Sequence, residues 1–98
     1  MSTTAAKVMH DAASRVFKTS SGALIEYVLE KGGKVVALTH TFTPEAARGQ
    51  GLAAVVTSAA FDWAAAEGKQ VRPVCTYVRG PFLERNPQYQ GIVVSDDA

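Results

Sequence analysis

The sequence predicts an α+β domain: short antiparallel strands first, one long helix next, then a short strand and a short helix. Three observations carry this. The hairpin signature Lys31-Gly32-Gly33-Lys34 separates two stretches rich in β-formers, Ala23 to Leu29 and Val35 to Thr43. Leu52, Val55, Val56, Ala59, Ala60 and Trp63 recur at helical period. The chain has 98 residues, of which 47% are apolar and 19% charged, which suits one folded domain and no more.

Taken in order, Val8 to His10 and Arg15 to Lys18 read as short strands around an Asp11-Ala12-Ala13-Ser14 turn. His10 has no evident role. Ala23 to Leu29 and Val35 to Thr43 follow as strands. Simple alternation puts Leu38, His40 and Phe42 on one face of the second, and Thr39, Thr41 and Thr43 on the other. Pro44 ends that strand. Glu45 to Gly51 forms a glycine-bearing loop. The helix then runs to about Glu67 with Gly68 as its stop, and Thr57 and Ser58 lie off its apolar stripe. Val71 to Cys75 reads as a strand, which Pro73 confines to an edge or a splayed position. Thr76 to Leu83 reads as a short helix interrupted near Gly80-Pro81, and Asn86-Pro87 as a turn. Residues 1–6 and 90–98 are expected to be loose tails of a single 1–98 domain.

Composition excludes several function classes. Ten Lys/Arg against nine Asp/Glu, scattered along the chain, give no basic stripe for nucleic acid and no polybasic membrane patch. No apolar run approaches the ~20 residues that span a bilayer, and Met1 to Ala6 lacks a signal-peptide pattern. The one cysteine cannot make an internal disulfide, which fits a cytoplasmic setting. No spacing of Cys, His and carboxylates suggests a metal site.

The stretch Arg48-Gly49-Gln50-Gly51-Leu52-Ala53 is where chemistry concentrates. Glycines at a strand-to-helix junction let a ligand approach the backbone. The helix behind them presents unpaired N–H groups at its positive end. Together these favour phosphate, although a flexible turn has the same composition. The loop lacks the Gly-Lys-Ser/Thr of a P-loop. It matches a loose dinucleotide form, but the following strand ends in Val74-Cys75, without an acid for a ribose.

Arg48, Gly51 and Ala53 fit Gln/Arg-x-x-Gly-x-Gly/Ala, and so the loop resembles the pyrophosphate motif of the GNAT acetyltransferases. His40-Thr41-Phe42-Thr43-Pro44, the helix with Trp63, Pro73-Val74-Cys75-Thr76-Tyr77-Val78 and Glu84-Arg85-Asn86-Pro87 extend the resemblance, in order, to the minimal single-domain GNAT proteins. It covers roughly residues 8 to 89. It implies a twisted, mainly antiparallel sheet with one long and one short helix, binding acetyl-CoA or coenzyme A. The backbone near Phe42 and Thr43 would pair with the pantetheine arm. N–H groups from Gly49 through Gln50, Gly51 and Leu52 to Ala53 would hold the pyrophosphate, with Arg48 beside it. Asn86 would approach the nucleotide end.

In this family the cysteine of Pro-x-Cys-x-Tyr-Val, here Cys75, is a candidate acetyl acceptor or catalytic group. A free Cys is also a common small apolar core residue. His40 is a candidate general base, with a half-buried, satisfied imidazole as the plainer reading. Tyr77 is a candidate general acid. The resulting expectation is acetyl transfer from acetyl-CoA to an unidentified amine or protein acceptor, by a monomer or weak dimer. A coenzyme A-binding module without turnover is the rival reading. A Cys-His hydrolase would need a third orienting group and a cleft that a short chain hardly provides.

Overall fold

The computed structural model describes residues 7–94, and the expectations placed on residues 1–6 and 95–98 lie outside the described residues. Five strands form one sheet in chain order: β1 (Val8–Asp11), β2 (Val16–Thr19), β3 (Leu24–Glu30), β4 (Val35–Phe42) and β5 (Gln70–Pro73). The first four pair antiparallel because short turns join them, and β5 joins β4 in parallel after the helical crossover. At the first turn the Asp11 carboxylate accepts from the Ser14 N–H at 3.1 Å.

The long helix α1 (Leu52–Ala66) packs on one face of the sheet. Phe17, Ile25, Tyr27, Val36, Leu38 and Val71 from the sheet meet Val56, Ala60, Phe61 and Ala64 from α1 in one buried core. Beyond Glu67 the chain turns at Gly68, where Gly68 and Lys69 donate back to the carbonyls of Ala65 and Ala64.

The buried face of α1 is wider than the predicted stripe. Thr57 and Phe61 are fully buried, whereas Ala59 and Trp63 flank the core and Val55 is only half-buried. The reason is a second packing partner. Phe61 stacks on Phe82 at 5.4 Å and meets Tyr89 at 4.8 Å, so the C-terminal segment covers a side of α1 that the sheet does not. Buried Thr57 satisfies its hydroxyl by donating to the Ala53 carbonyl at 2.7 Å.

That C-terminal segment differs from expectation twice. Helical backbone passes through Gly80-Pro81 instead of breaking there. Pro81 has no N–H to offer the preceding turn, and the chain widens into a π turn over Val78–Phe82 before closing as α2 (Leu83–Arg85). Residues 90–94 are also placed rather than loose. A 3₁₀ segment, Pro87–Ile92, packs Tyr89 and Ile92 on the core, Val93 bridges Val71, and the Val94 N–H donates to the Val71 carbonyl at 2.9 Å.

Strand β4 contains the irregularity that shapes the site. Tyr27 pairs with Leu38 but Glu26 pairs with His40, which leaves Thr39 as an extra residue between them. This bulge reverses the alternation. Leu38 and Thr41 face α1, while His40 and Phe42 face the opposite side. The expectation that Leu38, His40 and Phe42 share a face is therefore overturned.

Candidate functional site

Strands β4 and β5 run together only from Val35↔Gln70 to Leu38↔Pro73. There they part. The N–H groups of Val74 and Cys75 both donate to the Leu38 carbonyl, at 3.1 and 2.9 Å, and β5 turns away into the short helix. Pro73 marks the last paired position, where its missing N–H costs no ladder bond. The bulge at Thr39 begins where this pairing ends, so β4 runs on from Thr39 to Phe42 without β5 beside it. The result is a V-shaped opening between two strands.

Cys75 stands in this opening. It is half-buried, and its Sγ lies 3.5 Å from the Thr41 hydroxyl across the gap. Burial alone pushes the thiol up. Hydrogen bonds from the Thr41 side chain and from the backbone N–H groups of Val78, Tyr77 and Thr41 outweigh burial and hold it below the ordinary thiol value. Tyr77 moves the other way: burial raises its phenol, the Arg85 charge opposes this in part, and the nearby Cys75 adds a smaller rise. A more acidic thiol thus neighbours a phenol that stays protonated.

At the far end of β4 lies the glycine loop. After Pro44 a single 3₁₀ turn, Glu45–Ala47, leads to Arg48, whose Nε donates to the Thr43 carbonyl at 3.1 Å. That bond fixes Arg48 to the end of the strand. Gly49 and Gly51 have φ of 87° and 72°. A Cβ at either would meet nothing within 4 Å, so left-handed backbone, not crowding, is what calls for glycine there. Gly51 is the N-cap of α1. It brings no side-chain cap, and the first turn contains no acid, so the helix's positive end is uncompensated. Leu52 turns its side chain into a small buried cluster with Ala23 and Ala47. Its backbone alone can face a ligand. Gln50 is exposed and Ala53 half-buried.

The remaining candidates are placed differently. His40 is exposed and faces away from the Thr41 and Cys75 side of the sheet, so the two catalytic candidates stand on opposite sides of β4. Phe42 is 46% exposed on the same side as His40. The Asn86 side chain donates to the Phe82 carbonyl at 2.9 Å and its backbone N–H does the same, which makes it the cap of the short helix. Sequence reasoning missed Thr41, because without the bulge simple alternation turns it away from Leu38 and so from the cysteine's side of the sheet. It also passed over His10, which stacks on Phe17 at 4.1 Å, meets the Trp63 ring edge at 4.8 Å and holds the Tyr27 hydroxyl at 2.7 Å. No group of three or more metal-ligating side chains occurs among the described residues. No helix there is long and apolar enough to cross a membrane.

A family model described as GCN5-related N-acetyl-transferase matches residues 14–92. The protein NATD1 of Bos taurus is 38% identical over 64 residues, covering 65% of this chain and 53% of that protein. For the protein NATD1 of Xenopus tropicalis the identity is 33% over 88 residues, covering 83% of this chain and 77% of that protein. The Mus musculus protein of the same name is 32% identical over 88 residues, with 83% and 76% covered. The chain thus spans little more than half the length of the bovine relative and about three quarters of the other two. The matched region runs from the first turn through all the elements that build the opening and the glycine loop, and the chain belongs to the GCN5-related N-acetyltransferase family.

Proposed function

We propose that this domain transfers an acetyl group from acetyl-CoA to an amine. The observation that carries the reading is the parting of β4 and β5 at Leu38, with the half-buried Cys75 thiol in the gap and the glycine loop at the end of the same strand. One strand thereby leads from a phosphate-compatible helix terminus to a reactive thiol.

The residues fit such a ligand. The uncapped start of α1, the left-handed Gly49 and Gly51, and Arg48 tied to Thr43 favour an anionic diphosphate. Backbone from Thr39 to Thr43, free of β5, can pair with an extended arm as an added strand would. Acetyl-CoA supplies an activated acyl thioester. The acceptor nitrogen bonds to the acetyl carbonyl carbon as the carbon–sulfur bond breaks, the nitrogen gives up a proton, and coenzyme A leaves as the thiol. Tyr77 stays protonated beside the opening and is suited to give that sulfur its proton. Cys75, with its lowered thiol, is suited to take the acetyl group first and pass it on.

Mass spectrometry of the protein with acetyl-CoA tests this. A non-covalent adduct under native conditions is expected, together with an acetyl group on Cys75 that survives denaturation and is lost on adding an amine. Binding without covalent acetyl, but with turnover, would mean direct transfer. Binding without turnover on any amine would favour a coenzyme A-binding module. Absence of any adduct would overturn the reading.

A further inference from the structure

We infer that the acetyl acceptor is a small di- or polyamine, approaching on the sheet face opposite α1 and held there by Glu26. The inference rests on the acetyltransferase reading above and adds the acceptor's chemistry to it.

The bulge at Thr39 makes β4 present different chemistry on its two sides. Thr41 and Cys75 lie on the α1 side, the same side as the positive end of α1. On the other side, at the level where β5 has left, stand His40 and Phe42, paired across to Glu26 and Leu24 of β3. A ligand whose anionic part rests at α1 leaves that second side for the acceptor. Two of the most exposed large apolar side chains of the described residues flank this mouth: Phe42 at 46% and Val74, just past the parting point, at 45%. They offer contact to methylene groups.

The charges on this face are unevenly matched. Glu30 is paired with Arg72 at 2.8 Å across β4, and Asp11 lies 3.9 Å from Lys18. Glu26 is exposed, and among the described residues its carboxylate has neither an ion-pair nor a hydrogen-bond partner. An unmatched carboxylate opposite His40, one strand away from the mouth, attracts a cation to this face. The attacking nitrogen must be neutral when it reacts, so the charge that Glu26 holds belongs to a second nitrogen. An acceptor with two basic nitrogens joined by methylenes meets both needs, with its chain against Phe42 and Val74. A monoamine meets only one.

The test compares 1,4-diaminobutane, spermidine, butylamine and a lysine-containing tetrapeptide as acceptors for acetyl-CoA, by chromatography of the acetylated products. Coenzyme A affinity is measured separately by titration calorimetry. The diamine should exceed butylamine in kcat/KM by about three- to fivefold, the scale of one exposed ion pair, and added salt should erase the difference. Glu26→Gln should bring the ratio close to one through KM, with coenzyme A affinity retained. Glu67→Gln, at the far end of α1, should preserve the ratio. Equal rates for the diamine and butylamine, a ratio unchanged in Glu26→Gln, or a tetrapeptide that outruns both polyamines would overturn the inference. Coenzyme A that binds while no amine is acetylated would overturn it together with the transferase reading, in favour of a binding module. Failure to bind coenzyme A at all would instead strike the acetyltransferase reading on which it stands.

Discussion

At Cys75 two influences oppose each other, and their balance is open to measurement. Burial resists the thiolate, while the Thr41 hydroxyl and the N–H groups of Val78 and Tyr77 favour it. Alkylation by iodoacetamide, followed against pH, should have its midpoint below that of a free cysteine. Thr41→Val should move that midpoint upward by removing a donor without changing side-chain shape. A midpoint that stays put would show that backbone N–H groups alone set the thiol. His10 gives a second residue-scale prediction. Its imidazole is lowered by burial, partly offset by the Asp11 charge, so the folded state prefers it neutral. Stability from this cluster is complete above the unfolded value of ~6.5 and is lost as pH falls through the lowered folded value. Trp63 lies 4.8 Å from that ring, and its fluorescence should report the loss in a mild acid titration. In His10→Phe the fluorescence change and the stability slope should both disappear.

Among the elements, the loop into α1 was the most legible from sequence, and β4 the least. Gly49 and Gly51 could be placed at a strand-to-helix junction because Pro44 and the apolar run from Leu52 bracket them, and both have left-handed backbone. Gly51→Ala should therefore cost about 1–2 kcal/mol in denaturant unfolding, from conformation alone. Gly51→Asp should in addition weaken coenzyme A binding, since its carboxylate would meet the phosphates. If Gly51→Asp bound like Gly51→Ala, the loop would have been assigned to the wrong ligand. Strand β4 defeated simple alternation because one inserted residue, Thr39, reverses every later side chain, and nothing in the composition of Val35 to Phe42 marks it. The π turn at Val78–Phe82 was hidden for a related reason: Gly80-Pro81 usually ends a helix, and the backbone continues here with Val78, Phe82 and Leu83 packed into the core from distant partners such as Phe61.

Across the whole molecule, α1 is clamped between the sheet and the C-terminal segment, and the clamp was only half legible. The sheet side followed from periodicity. The second side needed Phe61, Phe82 and Tyr89 to meet from distant parts of the chain, which no local pattern reports. Phe61→Ala should cost about 3–5 kcal/mol by urea unfolding, near the limit of what a domain of this size can lose. Tyr89→Phe should cost far less, since its hydroxyl bonds Asp62 at an exposed position, with Ser58 as a second side-chain partner.

The strand order carries a kinetic consequence. Strands β1 to β4 follow one another in space as in the chain, so each can zip onto its predecessor through a short loop, with little chain entropy lost per step. β5 must wait until α1 has bridged the gap from Phe42 to Gln70. The opening that holds Cys75 comes into being only with that last docking event. Unfolding that begins by releasing β5 and the C-terminal segment would thus erase the site while the meander survives, and a ligand lodged in the opening would act as a brake on that release. In hydrogen exchange, coenzyme A should then slow the amides of Val71, Val74 and Cys75 well beyond those of β1 and β2.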